Sequence, residues 1–319
     1  MSVIAVAGGT GNLGRAVVDA LNATGKITVL VLARQISRHT RPDSEDREKE
    51  IGGKIIVINY DDVPSITTVL EKNKVDTVIS TLTSAAPVSP DLALIAAADK
   101  SSTTKRFIPS IWAVPDQESN SMAAIFPPAK NKIDTLAALE ASSLEFTSIF
   151  TGYFIDYFAV PKVQSYMPPL VLVADIANNF AAIPGSGDVP VVFTHTWDIG
   201  KFVAAYVQKS TWEKEAYIIG GKVTWNEFIA VAEEAKGNKF TVGTDSIEKL
   251  SKGEITELPS HPAIYPFFPK AMLQGFFAAF GIFFEKGLFD LKPAHTLNEE
   301  FPEIKARTVR EIIDAAWRE

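Results

Sequence analysis

Gly8, Gly11 and Gly14 stand at every third position after the apolar run Val3–Ala7. Glycine lets a backbone take positive φ and approach an anion closely. A helix starting near Asn12 would aim its free N–H groups and positive dipole end at that anion. At a first strand-to-helix junction this spacing predicts a cradle for a dinucleotide pyrophosphate, made by Gly8, Thr10, Gly11, Asn12, Leu13 and Gly14, with the Thr10 hydroxyl as a further donor. The alternative is a tight turn that holds no ligand. The end of the next strand separates the two dinucleotides. An acid there accepts from ribose hydroxyls, whereas a guanidinium pairs with a 2′-phosphate. Arg34 lies 20 residues past Gly14, followed by Gln35, Arg38 and Arg41, and no acid stands beside it. NADP(H) is therefore the expected cofactor.

Polar residues just beyond later apolar runs extend this wall. Asn59 and Tyr60, with Asp61, are expected near the adenine. Thr81, Leu82 and Thr83 are expected along the pyrophosphate and nicotinamide ribose, and Ser110 follows the fifth run. Gly152, Tyr153 and Phe154 come just past the sixth and are expected beside the nicotinamide. Trp112, Tyr153, Tyr157, Tyr265 and Phe268, with Phe154 and Phe267, would line a cleft for a flat apolar substrate; plain core packing is the alternative for each. His195 and His261 either face that cleft or make structural hydrogen bonds. No spacing suggests a metal site, and no Gly-x-Ser-x-Gly elbow suggests a hydrolase. The chain has no cysteine, which excludes thiol nucleophiles and disulfides.

Elements that position these residues alternate along the first half. Strands are expected at Val3–Ala7, Ile27–Ala33, Ile55–Ile58, Val75–Ser80, Arg106–Pro109 and Phe146–Phe150. Helices are expected at Arg15–Ala23, Pro64–Lys72, Asp91–Asp99 and Ala129–Ala141, with a charged, mobile loop that could include a frayed helix at Ser37–Glu50. Single helices between strands imply parallel βαβ units. The fold class is α/β: a Rossmann-type doubly wound parallel sheet over 1–150, with a smaller, less regular C-terminal substrate lobe over 151–319. Within that lobe, 191–207 should return to the first domain as a strand, an Asp198 N-cap and a helix. Met272–Phe284 is too short to span a bilayer and reads as a buried or pocket-lining helix.

The stretches "VAGGTGNLG", "VISTLT", "KRFIPS" and "FTGYFIDYF" together resemble the NmrA-like group of atypical short-chain dehydrogenases, which includes isoflavone reductase-like and phenylcoumaran benzylic ether reductase-like enzymes. The later "LPSHPAIYPFFPKAMLQGFFAAFG" resembles a fungal subgroup. The Tyr-x-x-x-Lys pair of ordinary short-chain dehydrogenases is missing: Tyr157 and Lys162, and Tyr217 and Lys222, have the wrong spacing. The resemblance instead implies one lysine at the start of the helix before the sixth strand, which falls on Lys132, with Lys130 as the fallback. That lysine would bind the nicotinamide ribose and deliver a proton; a solvated helix start is the alternative. Two positions depart from the pattern: Ile111 stands where a glutamate is common, and Ile133-Asp134-Thr135 where arginines are.

These readings imply an NADPH-dependent reductase of a small aromatic or conjugated molecule, or, alternatively, a dinucleotide sensor acting through a protein partner. Net charge is −7, which disfavours nucleic acid. No basic segment leads into an apolar one at the N-terminus, so a secretory signal is not expected and the cytoplasm is the expected compartment. No membrane association is expected.

Overall fold

The computed structural model describes residues 2–34, 45–83, 88–115 and 129–318. The first half builds β1 (Ser2–Ala7), α1 (Asn12–Ala23), β2 (Ile27–Ala33), α2 (Glu45–Ile51), β3 (Lys54–Val57), α3 (Val63–Lys72), β4 (Thr77–Ser80), α4 (Asp91–Lys100), β5 (Arg106–Ile108), α5 (Ala129–Glu140) and β6 (Glu145–Phe146). All six strands run parallel in the order β3-β2-β1-β4-β5-β6. The chain winds outward from β1 in both directions, so a crevice opens beyond the carboxyl ends of β1 and β4.

Period-2 alternation explains why the strands read as unbroken apolar runs. Ile4 and Val6 join Val17, Val18 and Leu21 of α1 on one face. Ala5 and Ala7 join Ile66, Leu70 and Leu94 of α3 and α4 on the other. Local signals set the helix ends. Asp62 accepts the Ser65 N–H at 3.0 Å ahead of α3, and Pro64 sits in its first turn.

The second half adds β7 (Ser148–Phe150), β8 (Tyr153–Phe154), β9 (Ala174–Asp175), β10 (Phe180–Pro184), β11 (Pro190–Thr194), α6 (Thr196–Tyr206), β12 (Glu215–Tyr217), β13 (Gly221–Thr224), α7 (Trp225–Lys236), β14 (Thr241–Asp245), α8 (Ile247–Ser251), α9 (Lys270–Glu285), α10 (Leu297–Glu300) and α11 (Val309–Trp317). Small sheets β14-β10-β9 and β13-β11-β8 pack with α7, α9 and α11 around Phe193, Trp225, Phe228, Phe277 and Phe284. Helix α6 lies on α1 so closely that a Cβ at Gly200 would come 2.6 Å from the Ala16 carbonyl oxygen. Ile199, Phe202 and Val203 of α6 share an apolar layer with α1, and Leu297 and Ile304 join it.

Two expectations are corrected. The expected strand Phe146–Phe150 is two: β6 closes the main sheet, and β7 pairs with β12. The break is Thr147, whose buried hydroxyl bonds the Glu213 carbonyl and the Tyr206 hydroxyl. The N-cap of α6 is His195, whose Nδ1 accepts the Trp197 N–H at 3.2 Å, and not Asp198. Asp198 sits inside the first turn, buried and bonded by Arg307 and Lys201. Helix α9 is as expected: Leu273, Phe277, Ile282 and Phe284 face the core.

Candidate active site

The glycine turn follows β1 directly. Gly8 takes φ +81°, which a side chain tolerates poorly. A Cβ at Gly14 would stand 2.4 Å from both the Gly8 carbonyl oxygen and Thr81 Oγ1, so only glycine fits. Thr81 closes the turn by donating to the Ala7 carbonyl at 2.8 Å. Gly11 precedes α1 in extended conformation, no side chain caps the helix, and a Cβ there would meet nothing within 4 Å. An uncapped helix N-terminus beside open space suits an anion. Asn12, at φ 51°, occupies the left-handed region that asparagine tolerates. Arg47 of α2, which the sequence reading missed, donates to the Thr10 carbonyl at 3.1 Å and faces this turn.

A cleft of about 790 Å³ runs along the strand ends, lined by Arg34, Asn59, Tyr60, Asp61, Leu82 and Thr83 among others. The structure thus brings together the residues after β2, β3 and β4 that were expected to meet. Val88, Ser89, Pro90 and Leu92, ahead of and within α4, complete the wall and were not anticipated. The Tyr60 hydroxyl is buried in it with no hydrogen-bond partner among the described residues. Burial raises its pKa well above the phenolic range, the nearby Asp91 carboxyl adds to the rise, and Arg34 opposes it. A neutral phenol left unbonded in a cleft has a hydrogen bond to offer a ligand. Gln35 and Arg38, expected on the same site, lie outside the described residues.

Leu82, Thr83 and Ser89 also wall a narrow crevice of about 10 Å³ that holds Asp91, Ser110, Asn131, Lys132 and Thr135. Lys132 is half-buried there. Lys130, two residues earlier, is exposed and pairs with Asp134 at 2.6 Å on the outer face of α5. The two candidate lysines are separated by their position on the helix: Lys132 lines the crevice and Lys130 faces solvent. Asp91, which sequence reasoning missed, is fully buried; its carboxylate accepts from Ser80 Oγ at 2.5 Å and from the Ser110 N–H at 2.9 Å. Ser110 Oγ in turn donates to the Leu82 carbonyl at 2.7 Å. Burial lifts the Asp91 pKa above the usual carboxylate range, although both hydrogen bonds pull it down. A buried acid between Ser89-Pro90 and an apolar helix face was the only sequence signal for it.

Several aromatic expectations are corrected. Trp112 is buried among Ile4, Val6 and Ile108, with its indole N–H bonded to the Ser80 carbonyl at 3.0 Å; it braces the strand ends and does not line a cleft. Tyr153 is caged by Tyr157, Phe158, Phe193, Phe280, Phe284 and Phe289, because β8 turns inward after Gly152 at φ +69°. Phe154 is half-buried and contacts Tyr157 at 6.1 Å between ring centroids. Tyr157 lines a separate apolar cavity of about 310 Å³ with Val171, Ile176, Ile264 and Trp317. Tyr265 is tied to Glu257, Phe268 packs on Phe276, and Phe267 is 87% exposed. Both candidate histidines are wholly buried. His261 Nε2 meets the Val171 carbonyl, and its Nδ1 accepts the Leu258 N–H. No group of metal-ligating side chains occurs among the described residues.

A model of the NmrA-like family matches residues 1–313. The chain belongs to the NmrA-like family. It is similar to Oxidoreductase BOA1 of Botryotinia fuckeliana, 33% identical over 306 residues that span 94% of this chain and 95% of that protein. It is also similar to Phenylcoumaran benzylic ether reductase TP7 of Nicotiana tabacum, 26% identical with 98% and 97% of the two chains covered. Its fold is similar to that of the leucoanthocyanidin reductase–NADPH complex from Vitis vinifera, with a TM-score of 0.72, 22% identity and 98% of each chain covered. In this NmrA-like chain the departure at Ile111 is a packed core position, 1% exposed. The departure at Asp134 is the surface partner of Lys130. No described helix is long and apolar enough to cross a membrane.

Proposed function

We propose that this chain is an NADPH-dependent reductase that adds hydride to a carbonyl or activated double bond of a small aromatic or conjugated molecule. The observation that carries the reading is that Lys132, and not Lys130, lines a crevice that shares Leu82, Thr83 and Ser89 with the strand-end cleft. The residues present fit a dinucleotide: the uncapped α1, the glycine cradle and the unbonded Tyr60 hydroxyl all await polar partners. BOA1 is named an oxidoreductase, and the Vitis vinifera reductase holds NADPH, which supports the same cofactor here.

Bound in this cleft, the nicotinamide supplies the hydride. Arg34 would hold the 2′-phosphate, and the α1 N–H groups would hold the pyrophosphate. Lys132 holds a proton at Nζ. That proton would go to the oxygen or carbon that gains the electron pair. Lys132→Ala tests this in a screen of aromatic aldehydes, ketones and enones followed by NADPH absorbance. The expected variant keeps NADPH affinity and loses turnover; unchanged turnover would overturn the role of Lys132.

Ile111, in place of a common glutamate, favours a second reading: a dinucleotide-binding regulator with a protein partner and no turnover. NADPH binding with no activity across the screen would select it.

A further inference from the structure

The second half of the chain holds a cavity that the proposed reaction does not use. It measures about 310 Å³ and is walled by Tyr157, Phe158, Val171, Ile176, Ile264 and Trp317 among others. None of its lining residues belongs to the strand-end cleft or to the Lys132 crevice. Cavities that take small ligands begin at about 300 Å³ and are mostly apolar, with a few placed polar groups. Here Ser260 supplies a hydroxyl and Tyr157 a phenol, which burial and the nearby Asp156 carboxylate keep protonated. Asp175 is the one acid on the wall. Its oxygens are engaged by the Asn178 amide at 3.0 Å and by the Ser260 N–H at 2.8 Å.

Positive charge gathers on one wall residue. Lys162 Nζ stands 3.9 Å from the ring centroid of Trp317, and Lys236 Nζ stands 5.2 Å from the same ring. Lys236, at the end of α7, also donates to the carbonyl of Ala177, a second wall residue, at 3.4 Å. Trp317 is fixed in turn, since its indole N–H donates to the Phe158 carbonyl at 2.7 Å. Two ammoniums on one indole repel each other, and a ring face offsets a cation only modestly. Neither lysine has a carboxylate partner among the described residues. Acids on the two helices that carry Lys236 and Trp317 are engaged elsewhere: Glu233 with Lys239, Glu234 with Arg310, and Asp314 with Arg318.

We propose that this cavity is a second ligand site, for a small monocarboxylic acid: the apolar body fills the cavity, and Lys162 and Lys236 hold the carboxylate beside Trp317. Burial of the body supplies the affinity. The two ammoniums supply the preference for an acid over a neutral molecule of the same shape, because the anion relieves their mutual repulsion. Asp175 does not oppose this, being occupied by Asn178 and Ser260. The inference is independent of the reductase reading, and its test needs no turnover.

Phenylacetate and octanoate, each against its neutral amide, are titrated into the full chain. The Trp317 indole N–H is followed by ¹H–¹⁵N NMR and assigned with Trp317→Phe. At least one acid is expected to shift that signal saturably with a midpoint below about 1 mM, and to bind at least about tenfold tighter than its amide. Which acid does so separates a flat body from a chain. In the double variant Lys162→Met/Lys236→Met the acid is expected to bind no better than the amide. No saturable shift with either acid, equal binding of acid and amide, or an undiminished preference in the double variant overturns the proposal. Saturating NADPH is expected to leave the acid midpoint unchanged; an acid that NADPH displaces lies in the strand-end cleft and overturns the proposal. Failure of NADPH itself to bind would sink the reductase reading and leave the result for the acid intact.

Discussion

Arg34 lines the strand-end cleft, and on the proposed function its guanidinium would pair with the 2′-phosphate. Arg34→Ala is expected to weaken NADPH by about 1–3 kcal/mol and to leave NADH nearly unchanged, as read by calorimetry; equal loss for both would remove Arg34 from the phosphate. Tyr60 gives an independent reading. Its hydroxyl makes no hydrogen bond among the described residues, so Tyr60→Phe should cost no stability. The variant should weaken NADPH by roughly 0.5–1.5 kcal/mol. Thermal melts and titrations of the same variant separate the two effects. The strand-end residues were legible because each follows an apolar run at a predictable boundary. Asp91 and Arg47 were not, because their partners, Ser110 and Thr10, are set by folding rather than by neighbouring sequence.

Helix α1 and the turn before it act as one piece. A methyl at position 14 would collide with the Gly8 backbone and with Thr81, neither of which is the end of a flexible chain. Gly14→Ala should therefore abolish NADPH binding and lower the melting temperature together. A variant that binds normally would show that the turn has room the geometry denies it. The main-sheet strands and their helices could be read from apolar periodicity to within a residue or two at most boundaries. The break at Thr147 could not, because "EFTSIF" has the same pattern as one strand or as two. What separates them is β12, which captures β7 from 65 or more residues downstream, as the pairing of Ser148 with Glu215 shows. The inward turn of Tyr153 was hidden for a similar reason. Its cage is completed by Phe280, Phe284 and Phe289, far along the chain.

At the scale of the whole molecule, a buried polar network joins the end of β8, the start of α6 and the segment ahead of α11. Asp156, just past β8, accepts from Thr196 N and Oγ1 at the start of α6. His195 lies 3.5 Å from Asp156, and its Nδ1 accepts from Arg307, which also binds Asp198. Burial holds the His195 pKa below its ordinary 6.5; Asp156 pulls upward and Arg307 pushes down. Burial likewise depresses His261. Both rings are neutral in the folded chain, so their contribution is complete above about pH 6.5 and is lost as pH falls toward the depressed values. Asp198 is held low by Lys201 and Arg307 against the opposing effect of burial, and its contribution is lost only at more acid pH. Urea unfolding at about pH 7.5 and about pH 5 should show lower stability at the acid end. His195→Asn, which can still cap α6, should reduce that slope; an unchanged slope would place the pH dependence elsewhere.

Isothermal calorimetry of the purified chain with NADPH asks whether the uncapped turn, the Arg34 lip and the Lys132 crevice are one dinucleotide site. Saturable binding of one NADPH per chain, markedly tighter than NADH, is the expected result. No heat of binding up to about millimolar NADPH, weaker than any working affinity on the scale where 1 mM corresponds to about −4.1 kcal/mol, would contradict it.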